Sequence, residues 1–403
     1  MGGEVVFILV FLLLLWFFSY KASNKKDYLI MLPLLYSFVG LWGALGFLDN
    51  DLSGADWYIK DEHIIKTYFI FIIASVSFYL GSIPTLSKNK SGNLGFEKIR
   101  DIFFKLNDRY IILFYFFVVV FFHIAYPFEH LYFRVGYLPL YDGNNGLKLF
   151  FDFAVIILSI ILPFFKSKIG RVFFFILLLI LVQGLNKRII VLLPLLYFLG
   201  SYLRDFKFHY LRFLILISVS IFFSGIAYKY RDNYEQGIIS NIVYFYNNGV
   251  DFDGVLEGLN YLFGFSFFST LVTYSFFDAS LSDFLISINP LPSFILDVSA
   301  VVDKHKITVF APYSALGTLG ILGFTYVFAY YFAVGLIFGC CKNYFPMRFT
   351  SASFIVFVVF ILFSVTSLQY QLRTATRFVY YAMFVFFIFK IVSVYFSVKK
   401  RPF

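Results

Sequence analysis

Long uncharged runs dominate the hydrophobic pattern of this chain of 403 residues. Residues 5–18, 111–122 and 172–182 contain no charged side chain. A run of about 20 mostly apolar residues crosses a bilayer as a helix, because its backbone polar groups are then satisfied within the segment. The pattern predicts about eleven transmembrane helices, in a range of ten to twelve. A missed N-terminal helix, or a re-entrant stretch around residues 255–277, would change the count by one. The spans are residues 4–20, 28–48, 64–86, 110–126, 147–165, 172–186, 189–203, 211–228, 313–340, 349–368 and 376–396.

The strands of a membrane β-barrel would alternate apolar and polar positions over about 10 residues, and these runs do not alternate. We therefore predict an all-α, polytopic integral membrane protein that forms a single domain over residues 1–403. The composition agrees, since 61% of the residues are hydrophobic and only 14% are charged. The two cysteines, Cys340 and Cys341, are adjacent, and no zinc, redox or nucleotide motif occurs, so we expect neither a metal nor a cofactor.

The distribution of charge assigns the two sides of the membrane. Lys and Arg number about 20 in one set of alternate connections and 12 in the other. Because the richer set normally faces the cytoplasm, the C-terminus is predicted to be cytoplasmic and the acidic connection 49–62 to lie outside. The net charge of +10 then reflects membrane topology. We accordingly expect membrane lipid as a partner, and no nucleic acid.

The longest predicted connection, residues 229–312, falls on the outer side and is rich in Tyr, Asn and Asp. Aromatic rings stack on the apolar faces of sugars, and amides and carboxylates bind their hydroxyl groups. The composition of this loop therefore favours a carbohydrate site. An aromatic belt at the membrane interface would explain individual tyrosines equally well.

Arginines on the predicted outer side suggest a phosphate site. Arg373 and Arg377 are four residues apart on one helix face, where like charges repel unless an anion lies between them. A guanidinium binds phosphate in a bidentate way, so one membrane-resident phosphate would explain the whole set. Taken separately, Arg188 would reach up to lipid phosphate and Arg231 would pair with Asp232. The outer set comprises Arg134, Arg188, Arg231, Arg373 and Arg377.

Residues 312–323 lead into a predicted helix and place three small residues on one face. Such a face predicts close packing against another helix. The glycines are Gly317, Gly320 and Gly323.

Four local motifs occur in a recognisable order: residues 186–188, 230–232, 289–292 and 312–323. In this order, and in its helix number and single large loop, the chain resembles the Wzy-type O-antigen and capsule repeat-unit polymerases. More widely, it is similar to the GT-C-type membrane glycosyltransferases, which include the O-antigen ligases. The resemblance implies polymerisation of undecaprenyl-pyrophosphate-linked oligosaccharide repeat units at the periplasmic face of the bacterial inner membrane. It implies no nucleotide sugar, and it adds a chain-length regulator protein as a candidate partner.

The resemblance also implies roles for individual residues. Arginines would bind the pyrophosphate and stabilise its charge as it leaves, and this catalytic role falls to Arg188, Arg231, Arg373 and Arg377. Substrate contacts fall to Lys187, Tyr230, Asp232, His305 and Tyr313. The base for the acceptor hydroxyl stays open among Asp232, Asp251, Asp253, His305 and Tyr313.

Two departures from the family pattern matter. Ligases carry a His before the Gly-x-x-Gly pair, where this chain has Val309, and this favours a polymerase. An arginine-x10-glycine pattern of some polymerases is absent, since Ile242 stands at the glycine position counted from Arg231. A ligase remains the nearest alternative. A flippase or transporter for the same lipid is a third, although few charges beside Lys390 fall within the predicted spans.

Overall fold

The computed structural model describes most of the chain and is almost entirely helical in that part. Six predicted site residues lie outside the described residues: Lys187, Arg188, Tyr230, Arg231, Asp232 and Asp251. The described residues are 2–25, 28–46, 59–86, 100–101, 103–134, 145–184, 189–205, 209, 211–212, 214–216, 218–220, 222, 237–249, 252–291, 295–296, 298–307, 311–344 and 350–398.

The helices vary from short turns to segments longer than a bilayer requires. In chain order they are α1 (Gly2–Lys25), α2 (Met31–Ala44), α3 (Asp61–Leu86), α4 (Asp108–Ala125), α5 (Phe128–Tyr132), α6 (Asn145–Ile161), α7 (Lys168–Gln183), α8 (Ile189–Asp205), α9 (Ile238–Asn248), α10 (Phe252–Phe276), α11 (Leu281–Ser287), α12 (Ser299–Lys304), α13 (Ala315–Leu322), α14 (Phe324–Tyr344), α15 (Thr350–Gln369) and α16 (Leu372–Val398).

Six helices in the described part are long and apolar enough to cross a membrane, and each coincides with a predicted span. Two shorter apolar stretches, Tyr28–Ala44 and Phe150–Phe164, match two further predicted spans. An all-α membrane protein is thereby confirmed, while the number eleven stays a prediction. The six are Glu4–Ala22, Asp61–Pro84, Asp108–Ala125, Phe324–Asn343, Ala352–Gln369 and Leu372–Ile391.

Contacts divide the chain into two compact units. Unit 1 comprises residues 1–96 and 263–403, and unit 2 comprises residues 97–262. The predicted single domain therefore contains two units of packing, and the second is inserted into the sequence of the first.

Among the glycines of unit 1 in the described residues, those between α3 and α14 mark the closest approach of two helices. A Cβ added at Gly81 would lie 2.1 Å from the Phe332 carbonyl oxygen, and one added at Gly335 would lie 2.3 Å from the Phe78 carbonyl oxygen. Without side chains at these positions the two backbones touch, as small residues allow in membranes. The two helices run parallel, because Phe69, near the start of α3, also packs on Phe324 at the start of α14.

Consecutive helices at the start of unit 1 run in opposite directions. α1 runs parallel to α3, since Phe7 packs on Tyr68 and Phe18 packs on Tyr79. α2 runs the opposite way, because its last turn meets Tyr68, whose hydroxyl donates to the carbonyl of Gly43. The start of α3 and the end of α2 therefore share one end of the unit.

The last two helices continue the alternation. Tyr330 hydrogen-bonds to Thr376 and Cys341 to the carbonyl of Ala382, so α16 is parallel to α14. The backbone N–H of Ala315 donates to the carbonyl of Tyr370, so α13 and α16 begin beside each other. We call the end at which α3, α13 and α16 begin the polar end of unit 1.

One part of the predicted loop 229–312 differs from a simple surface connection. α10 is 25 residues long, and its second half lies in the core of unit 1, where Phe267 stacks on Phe71. The sequence of this half is apolar with small Ser and Thr side chains, and the charges of Asp253 and Glu257 before it made the whole segment look extramembrane. The outer placement of the remaining loop stays a prediction.

The glycines of residues 312–323 pack as expected at two positions. Gly317 faces Thr273 and Gly320 faces Ile70, each within 2.6 Å of an added Cβ. Gly323 has a φ of 118° and ends α13, so the third glycine breaks the helix.

Unit 2 is a bundle of α4, α6, α7 and α8 with the shorter α5 and α9 at one end. α6 and α8 approach most closely at Gly200, where an added Cβ would lie 2.1 Å from the carbonyl oxygen of Ile160. α9 packs on α5 and α7. This second contact brings together the connections that the sequence assigns to the outer side.

Candidate functional site

A buried arginine ties three connections of unit 2 together. Arg134 follows α5 and is 7% exposed. Its guanidinium donates to the carbonyls of His130 and Gly184, at 3.0 and 3.2 Å. Its own carbonyl accepts from the N–H of Gly237 at 3.0 Å, and Ile238 packs against Gly184. We call residues 131–134, 184 and 237–238 the Arg134 junction.

The Arg134 junction stands where two predicted site segments are attached. In the sequence, Lys187 and Arg188 follow Gly184 by three and four residues, and Arg231 precedes Gly237 by six. Burial lowers the pKa of Arg134 to about 10, so the guanidinium stays charged at neutral pH. The outer placement of Arg134 stays a prediction, and nothing in the sequence revealed that this arginine binds main-chain carbonyls.

An unsatisfied amide lies one turn beyond the junction. Asn241 is 4% exposed, and neither its amide oxygen nor its amide nitrogen has a hydrogen-bond partner within the described chain. Its backbone N–H donates to Gly237, so it shares a helix face with the junction. A single Asn in an apolar helix carries no special sequence signal, so Asn241 was not among the predicted site residues.

A second polar cluster belongs to residues 277–314, the connecting segment between α10 and α13 in unit 1. α11 begins with a capping box, in which Ser280 and Asp283 each accept the other's backbone N–H. Lys306 and Pro312 then pair across an isolated antiparallel bridge. The bridge returns the chain to the start of α13 at the polar end.

Four side chains of the connecting segment converge. Lys304 Nζ donates to Asp283 Oδ2 at 2.7 Å. His305 is 2% exposed and stacks on Tyr313, with 5.0 Å between ring centroids. Its Nε2 lies 3.8 Å from Asp283 Oδ2, which is too far for a hydrogen bond, and has no other partner in the described residues. The imidazole and the carboxylate are close neighbours without a bond.

This environment shifts two pKa values in the same direction. Burial would raise the pKa of Asp283, but hydrogen bonds from Lys304 and Ser280 outweigh it and hold the pKa well below its ordinary value. Burial lowers the pKa of His305, and the opposing pull of the Asp283 carboxylate is weaker. At neutral pH the cluster therefore contains an ionised Asp283 carboxylate and a neutral His305 imidazole.

The start of α16 meets the same segment. Arg373 is 5% exposed and donates to main-chain carbonyls of the connecting segment, as does Gln371. Arg377, one turn further on, is exposed and has no partner among the described residues. The structure thus gathers His305, Tyr313 and Arg373 around one segment, and it sets Arg377 apart from them.

Hydroxyl and amide groups continue from this cluster into the core of unit 1. Gln369 donates to Ser266 at 2.8 Å, and Thr270 hydrogen-bonds to Ser314, the N-cap of α13. These bonds fix α10 against the polar end. No group of three or more His, Cys, Asp or Glu side chains within the described residues is arranged to hold a metal ion.

No family model matches this chain, and no curated protein or solved structure matches it either. The fold alone defines its class, a membrane-embedded protein built from helices.

Proposed function

We propose that the protein is a membrane glycosyltransferase that polymerises lipid-linked oligosaccharide repeat units. Its donor would be a glycan on undecaprenyl pyrophosphate, and its acceptor a sugar hydroxyl of another lipid-linked unit. The acceptor oxygen bonds to the anomeric carbon, while the bond from that carbon to the pyrophosphate oxygen breaks. The electron pair of the broken bond stays on the pyrophosphate oxygen, the pyrophosphate leaves still attached to its lipid, and the hydroxyl proton passes to a base.

The Arg134 junction is the observation that carries this proposal. A leaving pyrophosphate needs several guanidinium groups in a fixed arrangement, since preorganised charge lowers the barrier more than mobile charge. Arg188 and Arg231 belong to two different connections, and both connections are anchored at the buried Arg134 junction by Gly184 and Gly237. The guanidinium of Arg134 donates its hydrogen bonds to main-chain carbonyls of the junction. This supports a role in holding the two segments, and not in binding the phosphate.

The connecting segment of unit 1, taken by itself, contains polar groups of the kind that an acceptor sugar needs. Lys304 and Asp283 offer charged groups beside the neutral imidazole of His305. The ring of Tyr313 is buried between His305 and Phe277 and therefore positions the imidazole. Neutral His305 is in the correct protonation state to accept a proton at pH 7.

Transport of the same lipid is the main competing function. A transporter is expected to carry charged side chains in mid-span, facing a cavity. The buried charged side chains in the described residues are Arg134, Asp283 and Arg373, and each lies at or near a helix end. Lys390 lies 18 residues after the start of α16, about 27 Å along the helix, and is exposed. That length is close to the full hydrocarbon thickness of about 30 Å, so Lys390 would sit at the far interface.

The test is complementation of a host that lacks its own polymerase, read as the banding of extracted lipopolysaccharide. We expect the wild-type gene to restore a ladder of long chains, and Arg188→Ala with Arg231→Ala to leave single repeat units attached to the core. Free lipid-linked polymer that is not joined to the core would instead identify a ligase. Loss of even single attached units would identify a transporter. A full ladder from the double variant would refute the proposal.

Lys66→Ala is the matched control. Lys66 is also cationic and lies at the polar end of unit 1, but it is half-exposed and paired with Glu62 at 2.6 Å. Exposed pairs contribute little to stability, so this variant should give the wild-type ladder. Immunoblots must show equal amounts of each protein in the membrane.

A further inference from the structure

Arg373 and Arg377 look equivalent in the sequence, but their surroundings differ. Both lie in the first two turns of α16, four residues apart. Arg373 is buried at the polar end of unit 1, whereas Arg377 is exposed. A shared anion between the two would need both guanidinium groups to face the same space.

The hydrogen bonds of Arg373 are already taken by main-chain carbonyls. Its Nη1 donates to Ile286 at 2.8 Å and to Asn289 at 3.4 Å, and its Nη2 donates to Leu291 at 2.7 Å. These carbonyls lie at and just beyond the end of α11, where a helix carries partial negative charge. The guanidinium of Arg373 therefore interacts with backbone carbonyls of the protein itself. Its Nε is the one nitrogen without a hydrogen-bond partner in the described chain.

Two neighbours of Arg373 act on the same segment. Gln371 Nε2 donates to the carbonyls of Val302 and His305, at 3.0 and 2.9 Å, around the end of α12. The hydroxyl of Tyr380 donates to the carbonyl of Ile288. Side chains from the start of α16 therefore satisfy the final carbonyls of both short helices in the connecting segment.

Arg377 has no such bonds. It heads the exposed stripe of α16, which continues through Tyr381, Phe384, Ile388 and Ile391. The stripe is apolar, as expected of a surface that faces lipid, and Arg377 lies about 7 Å along the helix from its first residue. A long cationic side chain at this depth reaches the level of lipid phosphates.

We infer that the two arginines have different roles: Arg373 is a positioning residue that fastens the connecting segment to α16, and Arg377 is the residue that binds a phosphate group. The phosphate belongs either to the lipid-linked donor or to a bilayer phospholipid. The role of Arg377 in catalysis rests on the proposed function. The fastening role of Arg373 does not.

Tryptic cleavage of the purified protein tests the fastening role. Lys304 and Lys306 are cleavage sites within the connecting segment, and both are exposed. We expect Arg373→Ala to accelerate cleavage after these lysines about tenfold or more, since each charge-assisted bond it removes is worth that much in an equilibrium. Arg377→Ala is the matched control and should leave the rate unchanged.

Milder variants cover the case in which Arg373→Ala does not fold. Gln371→Leu removes the two bonds to the end of α12 and should also accelerate cleavage. Arg373→Lys keeps the charge but not the planar fork, so its cleavage rate should fall between those of wild type and Arg373→Ala. Equal rates in wild type, Gln371→Leu and Arg373→Lys would overturn the inference.

Binding to nanodiscs tests the role of Arg377. Native mass spectrometry would count bound lipids in phosphatidylcholine discs that contain either undecaprenyl phosphate or phosphatidylglycerol. We expect Arg377→Ala to lose at least tenfold in affinity for one of these lipids, while Arg373→Lys, which remains folded, retains it. Loss confined to undecaprenyl phosphate identifies the donor as the source, and loss of both lipids identifies a general phosphate site. No loss with either lipid overturns the assignment, and neither result depends on polymer formation.

Discussion

The parallel crossing of α3 and α14 makes a sharp prediction about stability. Alanine at Gly81 would place its Cβ 2.1 Å from the carbonyl oxygen of Phe332, where ordinary contact begins at 3.4 Å. Alanine at Gly335 would place its Cβ 2.3 Å from the carbonyl oxygen of Phe78. In both cases the obstructing atom belongs to the backbone of a packed helix, so a rotamer change cannot relieve the overlap.

The two helices must separate by more than 1 Å to accept either methyl group. Inserting a methyl group into a packed core typically costs about 1–3 kcal/mol, and we expect each single alanine to lower the free energy of unfolding by that amount. Both alanines relieve their overlap by the same separation. The double variant should therefore cost little more than the worse single one, because neighbouring sites that share one backbone shift are not additive.

The measurement is the thermal midpoint of the purified protein in one detergent. The midpoint is the temperature at which half of the monodisperse peak is lost on size-exclusion chromatography. Leu336→Ala is the control, since Leu336 is adjacent to Gly335 but points outward. Exposed substitutions usually change stability by less than about 0.5 kcal/mol. Unchanged midpoints for both glycine variants would show that α3 and α14 do not approach this closely. Strict additivity would show that the two overlaps are relieved independently.

Two further predictions concern buried polar groups. His305 has a folded pKa below its unfolded value of about 6.5, so its neutral form stabilises the fold above that pH, and this stabilisation is lost as the pH falls through the folded value. Wild type should therefore lose thermal stability between pH 7.5 and 5.5 more steeply than His305→Gln, and parallel curves would contradict this. Asn241→Leu removes an unsatisfied buried amide and should stabilise the protein by about 1–3 kcal/mol, whereas Asn248→Leu, at an exposed amide bonded to Tyr244, should not. A lower melting midpoint for Asn241→Leu would show that the amide has a partner.

The sequence predicted the membrane class because that class depends on composition over long stretches. An apolar run of about 20 residues is hydrophobic wherever it packs. α10 was predicted only as an alternative, a re-entrant stretch around residues 255–277, for the opposite reason. Its second half is apolar for only about 15 residues, and the acidic Asp253 and Glu257 stand before it. Packing against Phe71 stabilises this helix, and that contact lies far away in the sequence.

The site was predicted less completely than the fold. His305 and Tyr313 were selected separately, and the structure stacks their rings on one another. Asp283 was not selected, although it is the carboxylate beside His305. Its capping box with Ser280 has a sequence signature, a Ser followed by an acidic residue three positions later, that would have marked the start of a helix. Nothing local shows that this helix lies against α16.

The arginine pair shows where sequence reasoning about charge fails. Residues four apart on a helix differ by about 40° in direction, so their side chains normally face one environment. On α16 the boundary between buried and exposed faces passes between them, with Arg373 on the buried side and Arg377 at the head of the exposed stripe. Repulsion between the two charges is then reduced, because the carbonyls beyond α11 hold one of them. The spacing of the two arginines suggested a bound anion. In the structure, backbone carbonyl groups with partial negative charge bind Arg373 instead, and no sequence pattern marks these carbonyls. The same holds for Arg134, whose partners are also carbonyls. An arginine in an outer connection therefore indicates a phosphate site only when backbone carbonyls are not its hydrogen-bond partners. Among the predicted site arginines that the structure describes, Arg377 alone has no backbone carbonyl as a partner.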